Sequence, residues 1–156
     1  MKEILEYRKR LIERLLTVTK DFRADCLAVK DPFAPLEEGG WNTHQLAAHT
    51  RDVDQLAYGL RARRTASEDN PEFESFDGDT YAAEHYDPNE SLNELLDGFV
   101  ANIESLVELL RGLPVEAWAR ESRHVTLGGG FTLQTWVERD LAHIEEHAIT
   151  VKRGAG

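Results

Sequence analysis

Apolar residues return at three-, four- and seven-residue steps through long stretches of this chain, a period that commits it to helices with one face to bury. Between residues 3 and 29 the step is kept by Ile4, Leu11, Leu15, Val18, Phe22 and Cys26, and Leu5, Ile12 and Leu16 widen the stripe. Asp31-Pro32, Pro35 and Gly39-Gly40 end this first helix. Asn42, three residues before Gln45, forms a capping-box pattern that opens a second helix, expected to reach about Arg64, with Leu46, His49, Val53, Leu56 and Leu60 as its stripe. Ser91 and Glu94 repeat the capping pattern, and Leu92, Leu96, Phe99, Ile103, Leu106 and Leu110 follow before Gly112 and Pro114 stop the third helix. Thr132 can cap a fourth helix reaching about Lys152, after a stretch containing Gly128-Gly129-Gly130 that predicts a small hairpin or turn.

Between Thr65 and Glu90 the period dissolves into Asp, Glu, Asn, Ser and Pro with several aromatics and no Lys or Arg. This predicts a long acidic connection between the second and third helices, with room for a short helix. Phe73, Phe76, Tyr81, His85 and Tyr86 could let it fold over the bundle mouth and shape a pocket, or it could cover apolar helix surface. Four such helices bury their stripes best as an all-α antiparallel four-helix bundle, expected to form one domain over residues 1–156.

Charge narrows the function. The chain carries 18 Lys and Arg against 29 Asp and Glu, a net of -11, which repels nucleic-acid phosphates and anionic membrane surfaces at long range. No uninterrupted apolar segment opens the chain or is long enough to span a bilayer, so a cytoplasmic protein is expected. The single cysteine, Cys26, continues the first stripe and reads as a core residue; any metal must therefore rely on His and carboxylates. Trp41, Trp118 and Trp136 read as packing anchors.

His143 and His147 are spaced i and i+4, which projects both imidazoles from one face of the fourth helix a single turn apart. His49 stands in the row of the second helix that otherwise faces the core. An imidazole buried there needs a hydrogen-bond partner or a metal, and taken singly such a histidine more often finds a protein partner. Three neutral imidazoles converging on one point would instead make a divalent-metal site with an open position, as catalytic sites have. Asp140, a turn before His143, could orient a ligand, serve as a base or further ligand, or pair with a neighbouring cation. His44 and His124 read as surface residues. His143-Ile144-Glu145-Glu146-His147 also fits the H-x-x-E-H protease pattern, but glutamates are expected on any solvated helix and only nine residues follow His147 for a third ligand.

Three separated segments resemble the DinB/YfiT-like metalloprotein superfamily: Trp41-Asn-Thr-His-Gln-Leu-Ala-Ala-His49-Thr, Gly-Phe-Thr132-Leu-Gln-Thr-Trp136 and Asp140-Leu-Ala-His143-Ile-Glu-Glu-His147. The resemblance implies a four-helix bundle holding a divalent metal, zinc or nickel, through His49, His143 and His147. It also implies chemistry on small molecules, since characterised members mostly transfer or add low-molecular-weight thiols, as bacillithiol S-transferases and mycothiol-dependent maleylpyruvate isomerase do. An ion at this site could acidify either a small thiol or water, so the expected partner is a small-molecule substrate or thiol, with a non-catalytic ligand-binding or structural bundle as the alternative. A homodimer is expected, because broad apolar stripes can leave a surface for a two-fold partner.

Overall fold

In a computed structural model, which describes residues 1–155, the chain forms six helices and three short strands. Helix α1 covers Lys2–Ala28, and α2 (Thr43–Val53) continues through a π-helical turn (Asp54–Tyr58) into α3 (Gly59–Ser67). Strand β1 (Glu72–Phe73) and helix α4 (Gly78–His85) occupy the connection to α5 (Leu92–Arg111). A 3-10 turn (Val115–Ala119) and the hairpin β2 (Glu121–His124) and β3 (Gly128–Thr132) precede α6 (Leu133–Ala155). The four-helix bundle is built from α1, the continuous α2–α3 rod, α5 and α6. None of these helices is long and apolar enough to cross a membrane.

The helix starts follow the chemistry of their caps. Asn42 Oδ1 accepts from the Gln45 N–H at 2.7 Å while Gln45 Oε1 accepts from the Asn42 N–H at 2.9 Å, a complete capping box. Ser91 Oγ accepts from the Glu94 N–H at 3.3 Å, and Thr132 Oγ1 accepts from the Thr135 N–H at 3.2 Å.

Helix α1 packs on α5 and α6, while α2–α3 packs on those same two helices from the opposite side of the bundle. Directions follow from cross-helix pairs. Arg8 meets Gln134, Arg14 meets Glu145 and Asp25 meets Lys152, so α1 and α6 run the same way. Arg51 meets Glu90 and the Arg63 guanidinium donates to the Asn102 carbonyl, so α2–α3 and α5 also run together. The two pairs are antiparallel to one another. Such an arrangement needs long connections, and residues 29–42 and 68–91 supply them.

One hydrophobic cluster runs through the bundle, with Leu15, Phe22, Leu96, Phe99, Ile103, Trp136 and Ile144 wholly buried. The predicted hairpin is present, joined by β1 into a sheet of order β1-β2-β3. It is tied to the bundle where Trp136 Nε1 donates to Ser122 Oγ at 2.7 Å, and Ser122 in turn donates to the Phe131 carbonyl at 2.8 Å.

The second helix departs from its expected stripe. Leu46, His49 and Val53 are buried as anticipated, but Leu60 is exposed and Leu56 half-buried; Asp54, Ala57, Arg61, Ala62 and Thr65 face inward instead. The π turn is the cause. The Gly59 N–H bonds the Asp54 carbonyl five residues back, and one extra residue in a turn rotates everything after it by roughly 100°. Gly59 permits this geometry, because a Cβ there would lie 2.6 Å from the Asp54 carbonyl oxygen and 2.7 Å from Asp54 Oδ1. Gly59→Ala should therefore destabilise the protein by about 1–3 kcal/mol in urea unfolding, the cost of forcing backbone apart at a packed site. Unchanged stability would show that the π turn relaxes without cost.

Candidate metal centre

The i, i+4 spacing on α6 brings the Nε2 atoms of His143 and His147 to 2.9 Å, and α2 places the His49 ring 5.3 and 5.0 Å from theirs, centroid to centroid. One ligating nitrogen from each of the three lies within 4.8 Å of the others. Nitrogens bound tetrahedrally at about 2.1 Å to one ion lie about 3.4 Å apart, so the imidazoles would close on an ion with shifts on the order of an ångström. Burial lowers all three pKa values. His143 falls to about 3, through desolvation and the neighbouring His147 and His49; His147 falls to about 4, through desolvation and His49. His49 is lowered by desolvation, opposed by Asp79 and Asp52 and more weakly by the Gly78 backbone and Glu146. The imidazoles are thus neutral at physiological pH, the form that ligates a cation. A donor set of three neutral imidazoles, His49 buried and His143 and His147 half-buried, with no carboxylate among them, fits a divalent ion such as zinc.

The acidic connection forms one wall of this centre. Asp77 caps α4 by accepting from the Asp79 and Thr80 N–H groups, which sets Gly78 against His49. A Cβ on Gly78 would sit 2.8 Å from His49 Cε1 and 3.0 Å from Val53 Cγ2, so the imidazole rests directly on a glycine backbone. Trp41 meets the His49 ring edge-on at 4.7 Å. A cavity of about 290 Å³ opens beside His49, lined by Trp41, Asp52, Asp79, His85, Tyr86 and Asp87 among others. A second, of about 170 Å³, is lined by His49, His143, Tyr58, Arg61 and Phe76; a third, of about 240 Å³, touches His147, Trp41 and Glu146. The same connection also covers apolar surface, since Phe73 is buried edge-on to Trp136 at 5.8 Å.

Asp140 is fully buried and lies outside the convergent ligand set. Its carboxyl faces Asp54, also fully buried, and no hydrogen bond joins it to an imidazole among the described residues. Burial first, and then the charge and hydrogen bonding of Asp54, hold the Asp140 pKa well above its ordinary value, so Asp140 keeps a proton that it can donate to Asp54. Asp54 and Arg61 were not discernible as inward residues, since only the π turn swings them there; a tighter reading of the Gly59 neighbourhood would not have revealed it.

His44 and His124, read from sequence as surface residues, are buried. The protein engages both ring nitrogens of His44 and the Nδ1 of His124. His44 Nε2 donates to the Glu90 carbonyl and its Nδ1 accepts from the Tyr86 hydroxyl, both at 2.7 Å, which pins the connection to α2. His124 Nδ1 accepts from the Thr126 and Leu127 N–H groups at 3.2 Å and so closes the hairpin turn. Cys26 is buried and free, with burial pushing its thiol up to about 12, consistent with a packing role.

This arrangement defines a helical bundle with a three-histidine metal-type centre at the junction of its second and last helices. The sequence pattern of the DinB superfamily matches residues 22–151, and the chain belongs to that superfamily. Among solved structures, its fold is similar to that of YfiT from Bacillus subtilis, at a TM-score of 0.85 and 20% identity, covering 96% of this chain and 86% of that one. YfiT is described as a probable metal-dependent hydrolase with an unusual four-helix bundle topology. No curated protein matches this chain in sequence.

Two predictions follow from this packing. In metal-free protein, the raised pKa of Asp140 means that the unfolded chain releases its proton near 3.8 while the folded one retains it, so this group's contribution to stability falls as pH rises from that value. Asp140→Asn removes that loss, and its urea midpoint should exceed the parent's at neutral pH while the difference shrinks in acid. Equal pH dependence in the two proteins would place the proton elsewhere. Gly78→Ala should push the His49 ring from its seat and lower zinc affinity at least about tenfold, a loss of roughly 1.4 kcal/mol, measured by competition with a chelating dye.

Proposed function

We propose that this chain is a divalent-metal-dependent enzyme acting on small molecules, with His49, His143 and His147 as the metal ligands and hydrolysis as the reaction. The observation that carries the reading is the convergence of three neutral imidazole nitrogens, from buried His49 and half-buried His143 and His147, within 4.8 Å beside cavities that suit a small substrate. A zinc or nickel ion held there would supply Lewis acidity, polarising a substrate oxygen and lowering the pKa of a small nucleophile in its open position. The residues around it divide the remaining work. Trp41 and Tyr86 offer aromatic surface to the substrate body, and the cavity confines it against His49. Asp79 lines that cavity as a carboxylate with no cationic partner among the described residues, which suits it to take up a proton from the attacking group. Asp52 is less suited, being held by Arg51 at 2.9 Å.

Water is favoured over a low-molecular-weight thiol by the same lining. Asp52, Asp79 and Asp87 edge the larger cavity, and its Arg51 is already engaged by Asp52 and Glu90, so a polyanionic thiol would meet net negative charge there. The YfiT relative's description as a probable metal-dependent hydrolase supports the same choice.

The test begins with metal content. Untagged protein should carry close to one zinc or nickel per chain by elemental analysis, and His49→Ala and His143→Ala should each lose it while remaining folded. Metal-loaded protein should then hydrolyse small ester or amide substrates without added thiol, and Asp79→Asn should lower kcat by about 10²–10⁴ while metal content stays unchanged. Parent protein that neither contains nor takes up metal would overturn the proposal, and activity strictly dependent on added thiol would replace hydrolysis with thiol transfer.

A further inference from the structure

The cavity shared by His49 and His143 contains a charge that no protein carboxylate answers. Arg61 lines it and is only 7% exposed, yet among the described residues no carboxylate forms an ion pair with its guanidinium. Its one hydrogen bond runs from Nη2 to the Glu74 carbonyl at 2.9 Å, which uses one of five N–H donors. Otherwise it lies 5.8 Å from the centroid of the Tyr58 ring and 4.9 Å from that of Trp136. Arg139 stands on Trp136 as well, at 5.8 Å, adding a second cation to the neighbourhood. Burial presses the Arg61 pKa downward, Tyr58 opposes it and Arg139 adds to it, and arginine nevertheless stays charged inside proteins.

Leaving a guanidinium in this state is costly, because a buried charge is ordinarily paired. The chain has 29 carboxylates, and the connection facing Arg61 is rich in them, yet Glu74 contributes its backbone carbonyl. The remaining lining of this cavity is free of acids: His49, His143, Tyr58, Phe76, Val53 and Ala57, with Gly78. The larger cavity on the other side of His49 carries Asp52, Asp79 and Asp87. The two approaches to the histidines are therefore opposite in charge.

We propose that Arg61 is a specificity-determining residue that binds a carboxylate group of the substrate in the cavity it shares with His49 and His143. A planar guanidinium matches a carboxylate in a fork geometry, and a volume of about 170 Å³, with Val53, Ala57 and Phe76 along part of its wall to meet a short alkyl chain, favours a small carboxylic acid over an anion polar on every side. The net charge of -11 opposes anion approach at long range, so selectivity arises from contact with Arg61, inside the roughly 8 Å over which charges act at physiological ionic strength. This assignment rests on reading the three-histidine centre as the reaction site, but the contact itself requires no ion.

Titrating the metal-free protein therefore separates the two. At neutral pH and low salt, propionate should bind at least about tenfold more tightly than its neutral isostere propionamide, as followed by calorimetry, the worth of one charge-assisted contact. Arg61→Gln should weaken propionate by about tenfold or more and leave propionamide unchanged, with Arg61→Lys intermediate. Because Arg61 packs on two aromatic rings, the glutamine variant can fail to fold, so the Nε–H resonance of Arg61 in the parent protein provides a second readout and should shift on adding propionate. Equal affinity for propionate and propionamide, an unmoved Arg61 resonance, or tighter binding of inorganic phosphate than of propionate would overturn the proposal. None of these outcomes depends on whether the histidines hold metal, which elemental analysis decides separately.

Discussion

The packing of α2–α3 against α6 governs this structure, because that interface buries polar groups the protein does not itself satisfy. The carboxyls of Asp54 and Asp140 are buried with only each other as partners, through the proton that Asp140 keeps, and Nδ1 of His49 and Nδ1 of His143 are buried with no hydrogen-bond partner. Each such group costs roughly 1–3 kcal/mol, and two helices selected for stability alone would meet through leucines here. The apolar cluster supplied by α1 and α5 offsets this cost. Leu15 and Phe22 from one side and Leu96, Phe99 and Ile103 from the other are wholly buried, and Phe22 meets Phe99 edge-on at 6.0 Å. The apolar core runs through all four helices, and the polar groups gather at the one interface between α2–α3 and α6.

At that interface, a single backbone irregularity sets which side chains face the histidines. A regular helix would continue the Leu46, His49, Val53 stripe through Leu56 and Leu60 and make that wall apolar. The π turn at Asp54–Tyr58 rotates the rod, so Asp54 comes to face Asp140, Arg61 enters the cavity, and the Tyr58 ring stands 5.7 Å from that of His143. The leucines displaced by the rotation are left at or near the surface. Apolar burial is exchanged for a polarised site.

That distinction explains what sequence could convey. Helix number, caps and the three histidines that converge were legible because each depends on residues within four positions of one another: Asn42 with Gln45, Ser91 with Glu94, His143 with His147, and His49 within its own stripe. The acidic connection, with room for a short helix, was visible as a loss of period, although β1 and the position of α4 were not. The π turn left no such signature, since Asp-Gln-Leu-Ala-Tyr is compatible with an ordinary helix and the glycine that permits it is tolerated in many helices. His44 and His124 were misplaced for a related reason. Their partners are Tyr86, the Glu90 carbonyl and the turn amides at Thr126 and Leu127, and only tertiary packing or a specific turn geometry brings these within reach.

The connection between α3 and α5 has a role beyond covering the site. Its β1 residue Phe73 belongs to the core through Trp136, Gly78 forms the seat of His49, and the Glu74 carbonyl takes the one hydrogen bond that Arg61 makes. At its far end Tyr86 and Glu90 hold His44, fixing the segment to the start of α2. A segment anchored at both ends to packed elements cannot swing freely, so the shapes of the two cavities are coupled to the stability of the bundle. Its lack of lysine and arginine has a direct consequence as well: it adds no competing cation beside His49, and it leaves Arg61 as the one cationic side chain lining the smaller cavity. Acidic composition here is therefore a feature of the site's electrostatics as much as of solubility, and the charge opposition across His49 follows from which backbone and side-chain groups this segment presents.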